Sequence, residues 1–199
     1  TLQDLLLAGD RVRRIEGVFS GTLAYLFNQM AEGVPFSEAV RAARAAGYTE
    51  PDPRDDLSGE DVARKLLILA REAGLPVERS DVEVQPLVPD ALREVPLEEF
   101  LERLGEQDAY WRERVEAARR EGRRLHYIGR IEDGRLAVGV QAVGPDSPFY
   151  NLQGTDNLIA FTTAYYCRTP LVVRGPGAGP EVTAAGIVSD LRRALEQMR

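Results

Sequence analysis

The order in which two hydrophobic periodicities occur along this chain constrains its fold more than any other feature. From about residue 20 to residue 121 apolar residues recur mostly at helical spacing, and from 123 to 175 they run in strand-like blocks. "TLQDLLLAGD" predicts a short helix closing at Gly9, and "RVRRIEGVFS" sets Val12, Ile15 and Val18 among polar neighbours, as a strand does. "TLAYLFNQMAEG" carries Leu23, Leu26, Phe27 and Met30 on one helical face, with Ser20 or Thr22 as its cap and Gly33 as its stop. A further helix starts at Ser37 and closes at Gly47. Beyond it, "VEVQPLVP" reads as an edge strand, and two helices lie near 97–104 and 107–121. "LHYIGRIEDGRLAVGVQAV" is a hairpin about Asp133-Gly134, "NLIAFTTAYY" and "PLVVRG" add strands, and "EVTAAGIVSDLRRALEQM" is a last helix. Helices first and strands later, with little βα alternation, mean an α+β layout rather than a doubly wound sheet.

Charge narrows the function. A net charge of -7 argues against a polyanion partner, so no nucleic acid is expected. The basic run Arg119, Arg120, Arg123 and Arg124 reads as cations near a helix C-terminus, facing water. One cysteine, Cys167, excludes an internal disulfide, and with His126 as the one histidine no metal site is expected. His126 falls in a strand pattern, where a packed or edge-exposed imidazole is the default. No apolar run approaches the ~20 residues of a membrane span, and the N-terminus has no signal-peptide pattern. A cytoplasmic protein is expected.

"GYTEPDPRDDLSGEDVARK", residues 47–65, holds Glu50, Asp52, Asp55, Asp56, Glu60 and Asp61 and ends on Lys65, the only lysine in the chain. Pro51 and Pro53 predict a rigid loop over 48–57, followed by a helix that Ser58 caps, with Asp61 completing a capping box. On that helix Asp61 and Lys65 are four apart and share a face. A surface ion pair worth a few tenths of a kcal/mol is the ordinary meaning of such spacing. Elsewhere, however, this chain places arginine wherever it needs a cation. An ammonium can be tuned and can release a proton, whereas a guanidinium does not. Clustered carboxylates suit a cationic amino group, and an ammonium among them suits proton delivery to a developing alkoxide. A calcium loop fits poorly, because the EF-hand spacing is absent and prolines stand where a loop would wrap the ion.

Two further segments invite a ligand. "GPGAGPEVTAAG", residues 175–186, follows a strand and opens a helix, but Pro180 stands where the third glycine of a dinucleotide fingerprint belongs. It suits an accessory loop that lets a flat ring or phosphate approach. Ser20-Gly21-Thr22 lies at a strand-to-helix turn without the context of a nucleophile, and suits a helix cap that also touches a ligand.

Taken together, "GVFSGTLAYLFN", "GYTEPDPRDDLSGEDVARKLLILAR" and "PLVVRGPGAGPEVTAAG" resemble the catalytic part of homoserine dehydrogenase. The motifs stand in the family's order, and the C-terminal third is most similar to the bifunctional aspartokinase–homoserine dehydrogenases. The resemblance implies an oxidoreductase that reduces L-aspartate 4-semialdehyde to L-homoserine with NADPH or NADH, in threonine and methionine biosynthesis. It implies proton transfer by Lys65 and Asp61, substrate binding by Glu50 and Asp56, and a nicotinamide near Gly177, Ala178 and Gly179. It also implies a sheet with helices on one face and a homodimer formed through that sheet. Residues 1–174 would be the catalytic and dimerisation domain. Residues 175–199 would complete a nucleotide-binding domain whose N-terminal Rossmann part is absent, so that the chain alone binds NADP or NAD weakly and does not turn over. A non-catalytic amino-acid-binding or dimerisation module of the same fold is the alternative.

Overall fold

A computed structural model describes residues 1–198. After α1 (Leu2–Leu7) come β1 (Val12–Val18), α2 (Gly21–Ala31), α3 (Phe36–Ala45), α4 (Pro53–Leu57) and α5 (Glu60–Glu72). Then follow β2 (Val82–Val84), α6 (Leu97–Arg103), α7 (Asp108–Arg120), β3 (Arg124–Glu132) and β4 (Arg135–Val143). The chain ends with β5 (Asp156–Thr163), β6 (Leu171–Pro176) and α8 (Pro180–Gln197). The strands form one sheet in the order β2-β4-β3-β1-β5-β6, antiparallel except where β2 joins β4 in parallel. The expected mixed α+β sheet is therefore present, the edge strand expected over "VEVQPLVP" extends only over Val82–Val84, and the hairpin turns at Asp133 and Gly134, both with positive φ.

Alternation decides what each face meets. Ile15, Tyr127, Ile131, Leu136, Val138 and Phe161 point to the face covered by helices and join Leu23, Phe27, Leu66 and Trp111 in the main core. The opposite face carries a smaller cluster, to which α2 contributes Ala24. The segment between β4 and β5 lays Phe149 and Leu152 on Val18, Ile128, Leu158 and Ala160. Beyond that cover the face is charged: Glu16 meets Arg14 at 3.0 Å and Arg130 at 2.6 Å, and Glu132 meets the same two arginines at 3.4 and 3.5 Å. β3 lies inside the sheet, so His126 is packed, 2% exposed, with neither ring nitrogen hydrogen-bonded. Among the described residues no helix is long and apolar enough to cross a membrane.

Three local expectations need correction. Residues 53–57 are a helical turn rather than loop, because Pro53 stands at its first position, where the missing N–H has no helical partner to lose. Asp52 caps it, accepting from Arg54 N at 3.0 Å. Ser58 does not cap α5, and no box forms with Asp61. Gly59 is the cap residue, at φ 78°, and a β-carbon there would overlap the Tyr127 hydroxyl. Ser58 Oγ instead donates to Asp55 O at 2.7 Å and accepts from Glu60 N at 3.2 Å. Finally, Phe36 opens α3, and Ser37 binds Asp108 through both its backbone N–H and its hydroxyl, each at 2.8 Å.

Candidate functional site

Helix α5 sets Asp61 and Lys65 one turn apart, as their spacing requires. Lys65 Nζ lies 2.7 Å from Asp61 Oδ2 and donates to the Phe19 carbonyl at 3.0 Å. An ammonium has three donors, and these two partners leave one. Both side chains are nearly half exposed, 45% for Lys65 and 48% for Asp61. A pair so open to water contributes at most about 1 kcal/mol to stability. Its interest lies in the third donor and in the carbonyl that steers it.

Phe19 stands at the turn from β1 into α2, its side chain buried. Its carbonyl accepts a second hydrogen bond, 3.2 Å, from Asn157 Nδ2 on β5. Gly177 closes over the Asn157 amide so tightly that a β-carbon at 177 would overlap Nδ2. The expected pair and the first glycine of the expected loop thus converge on one carbonyl and one amide. Ala178 is exposed, and Gly179, with φ 137° and open space where a β-carbon would stand, precedes α8.

Glu50 and Asp56 form a second group. Glu50 N donates to Asp56 Oδ2 at 2.8 Å. Burial pushes the Asp56 carboxyl above its usual range, and the Glu50 charge adds to this, while the hydrogen bond from Glu50 N pulls the other way. The Glu50 side chain lines an open cleft with Arg41, Arg44, Thr49 and Pro51. Among the described residues no hydrogen bond or ion pair joins this group to Lys65. The two groups are linked through the turn 19–22: Ser20 Oγ accepts from Leu23 N at 3.2 Å as the cap of α2, and Thr22 Oγ1 donates to Tyr48 O at 2.6 Å. Of the two hydroxyls, Ser20 caps and Thr22 ties down the acidic segment. That segment is pinned at its other end by Arg54, which binds Asp52, donates to Arg93 O and Val95 O at 3.0 and 2.6 Å, and lies over the Phe100 ring. Among the described residues no three His, Cys, Asp or Glu side chains gather as a group able to hold a metal ion.

Sequence reasoning missed Asn157 and the Phe19 carbonyl. A backbone carbonyl leaves no trace in a residue code. Asn157 does, since asparagine is depleted in strands and opens an otherwise apolar strand run here.

The homoserine dehydrogenase family model matches residues 1–191. The chain is 50% identical over 196 residues to the chloroplastic bifunctional aspartokinase/homoserine dehydrogenase of Daucus carota, covering 97% of this chain and 21% of that protein. It is 44% identical to a homoserine dehydrogenase of Emericella nidulans, covering all of this chain and 57% of that one. A crystal structure of a Candida auris protein of unknown function superposes with a TM-score of 0.93 at 42% identity, over 98% of this chain and 56% of the other. The chain therefore spans about a fifth to just over half of these relatives, and it belongs to the homoserine dehydrogenase family.

Proposed function

We propose that this chain is the substrate-binding and proton-transferring part of an enzyme that reduces L-aspartate 4-semialdehyde to L-homoserine. Lys65 carries the reading. It is the only lysine of the chain, held by Asp61 at 2.7 Å and by Phe19 O at 3.0 Å, with one donor left for a ligand. When bound, NADPH or NADH supplies a hydride to the aldehyde carbon. Lys65 gives its free proton to the oxygen that gains negative charge, and Asp61 holds the ammonium in place and favours its reprotonation from water. Glu50 and Asp56 provide negative charge for the substrate's amino group. The glycine loop at 177–179 offers backbone without side chains to the nicotinamide end, and Gly179 leaves room there. An archaeal homoserine dehydrogenase of the same fold, 24% identical, was solved in complex with NADPH.

The domain reading follows. β6 runs to Pro176, two residues beyond the boundary expected at 174, and α8 buries no residue. We assign residues 177–199 to a nucleotide-binding unit whose remainder belongs to the part of the relatives that this chain does not span. The face of the sheet opposite the helices pairs with a second copy. Sedimentation at tens of micromolar should give a dimer, and a monomer would count against it.

The decisive test of the chemistry is Lys65→Arg in the chain joined to its nucleotide-binding portion. Arginine keeps the charge and the reach to Asp61 but holds its protons above pH ~12. The variant is expected to lose at least ~100-fold in kcat with Tm nearly unchanged. Normal turnover would reduce the Asp61–Lys65 pair to an ordinary surface contact.

A further inference from the structure

We propose that Asn157 is a positioning residue, which sets where the Lys65 ammonium stands by holding the Phe19 carbonyl against the glycine loop. Three observations converge on it. Phe19 O accepts from both Lys65 Nζ, at 3.0 Å, and Asn157 Nδ2, at 3.2 Å, which fills its two lone-pair directions. Gly177 lies directly on the Asn157 amide, with no room for a β-carbon. The other end of that amide, Oδ1, is buried and has no hydrogen-bond partner.

The third observation separates a positioning role from simple packing. A buried acceptor without a partner is unfavourable, and a β-branched aliphatic side chain would occupy this strand position without one. The orientation of the amide is set as well, since turning it over would bring Oδ1 against the Phe19 oxygen. What asparagine supplies here is a donor to that one carbonyl. Asn157 also pairs with Gly175 across β5 and β6, so its backbone is fixed to the strand that leads into the glycine loop. A rigid path therefore runs from the loop through the amide and the carbonyl to the ammonium. Losing the Asn157 donor frees the carbonyl to rotate, and Lys65 is then directed by Asp61 alone.

This inference rests on the proposed role of Lys65 for its catalytic consequence, but not for its geometry. The single lysine allows the two to be tested apart. In the 199-residue chain labelled with 13C-lysine, one Lys65 side-chain signal is expected, and Asn157→Ala should displace it while Tm stays close to the parent. In the chain joined to its nucleotide-binding portion, Asn157→Ala should lower kcat about 10- to 100-fold, with a smaller change in KM. It should also shift the pH–rate limb that Lys65→Arg removes, and Asn157→Ser, which retains a donor, should restore part of the rate. A displaced Lys65 signal with unchanged kcat would uphold the positioning role and refute Lys65 catalysis. An unmoved signal, or a loss of rate matched by an equal loss of folded protein, would overturn the proposal.

Discussion

Helices α5 and α8 are written in similar codes and meet opposite fates. In α5, Val62, Ala63, Leu66, Leu67 and Ala70 are buried against β3, β4 and their neighbours. In α8, Val188, Leu191 and Leu195 recur at helical intervals, yet no residue of the helix is buried, and Leu191 stays 59% exposed. Periodicity therefore specifies the helix and the direction its apolar stripe faces. It does not supply the surface that covers the stripe. For α5 the sheet of the same chain is that surface, and Lys65 rides on the helix as a result. For α8 the cover is assigned to the nucleotide-binding unit.

Truncating the two stripes should separate them. Leu66→Ala removes a fully buried side chain, which costs roughly 4 kcal/mol and lowers Tm by on the order of 10 °C. A loss below about 1 kcal/mol in a denaturant titration would mean that α5 is not seated on the sheet as described.

Burial without a partner sharpens the contrast on the other side of the sheet. There His126 is packed away with no group to bind its ring. Burial, helped by the Arg124 charge, pulls its pKa from 6.5 down to about 4. The unfolded chain thus takes up a proton below about pH 6.5 that the folded chain refuses until about pH 4. The associated stability is complete above pH 6.5 and is lost as pH falls toward 4, by about 2–3 kcal/mol. His126→Phe should flatten that part of the stability–pH curve. An unchanged acid limb would show that the imidazole finds a partner in solution.

The smallest effect belongs to α8. Leu191→Ala should move the stability of this chain by no more than about 0.5 kcal/mol, because an exposed side chain has no packing to lose. The same substitution in the chain joined to its nucleotide-binding portion should cost several times more. Equal, small effects in both would break the assignment of α8 to that unit.

Much of the secondary structure was legible because it depends on near neighbours. The stripe of α2, a cap at Ser20 or Thr22, the Asp133-Gly134 hairpin and the start of the edge strand at Val82 all follow from residues within a few positions of each other. The misreadings were local as well. Pro53 reads as a breaker until it is placed at the first turn of a helix. Ser58 satisfies a capping pattern, but the crowding of Tyr127 at residue 59 gives the cap to Gly59, and that tyrosine lies 68 positions away in the chain.

The candidate site divides along the same line. The acidic segment, the Asp61–Lys65 spacing and the single ammonium in an arginine-only chain are properties of the sequence itself, as are the glycines at 175–179. That Lys65 is steered by the carbonyl of Phe19, that Asn157 shares that carbonyl, and that Gly177 closes over the amide belong to tertiary structure alone. So does the tie from Thr22 to Tyr48, which holds the start of the acidic segment against the turn at 19–22. A side chain's chemistry and its spacing along one helix are fixed by covalent connection. A hydrogen bond between residues 46 or 138 positions apart exists only because the β1–α2 turn, α5 and β5 have been packed together.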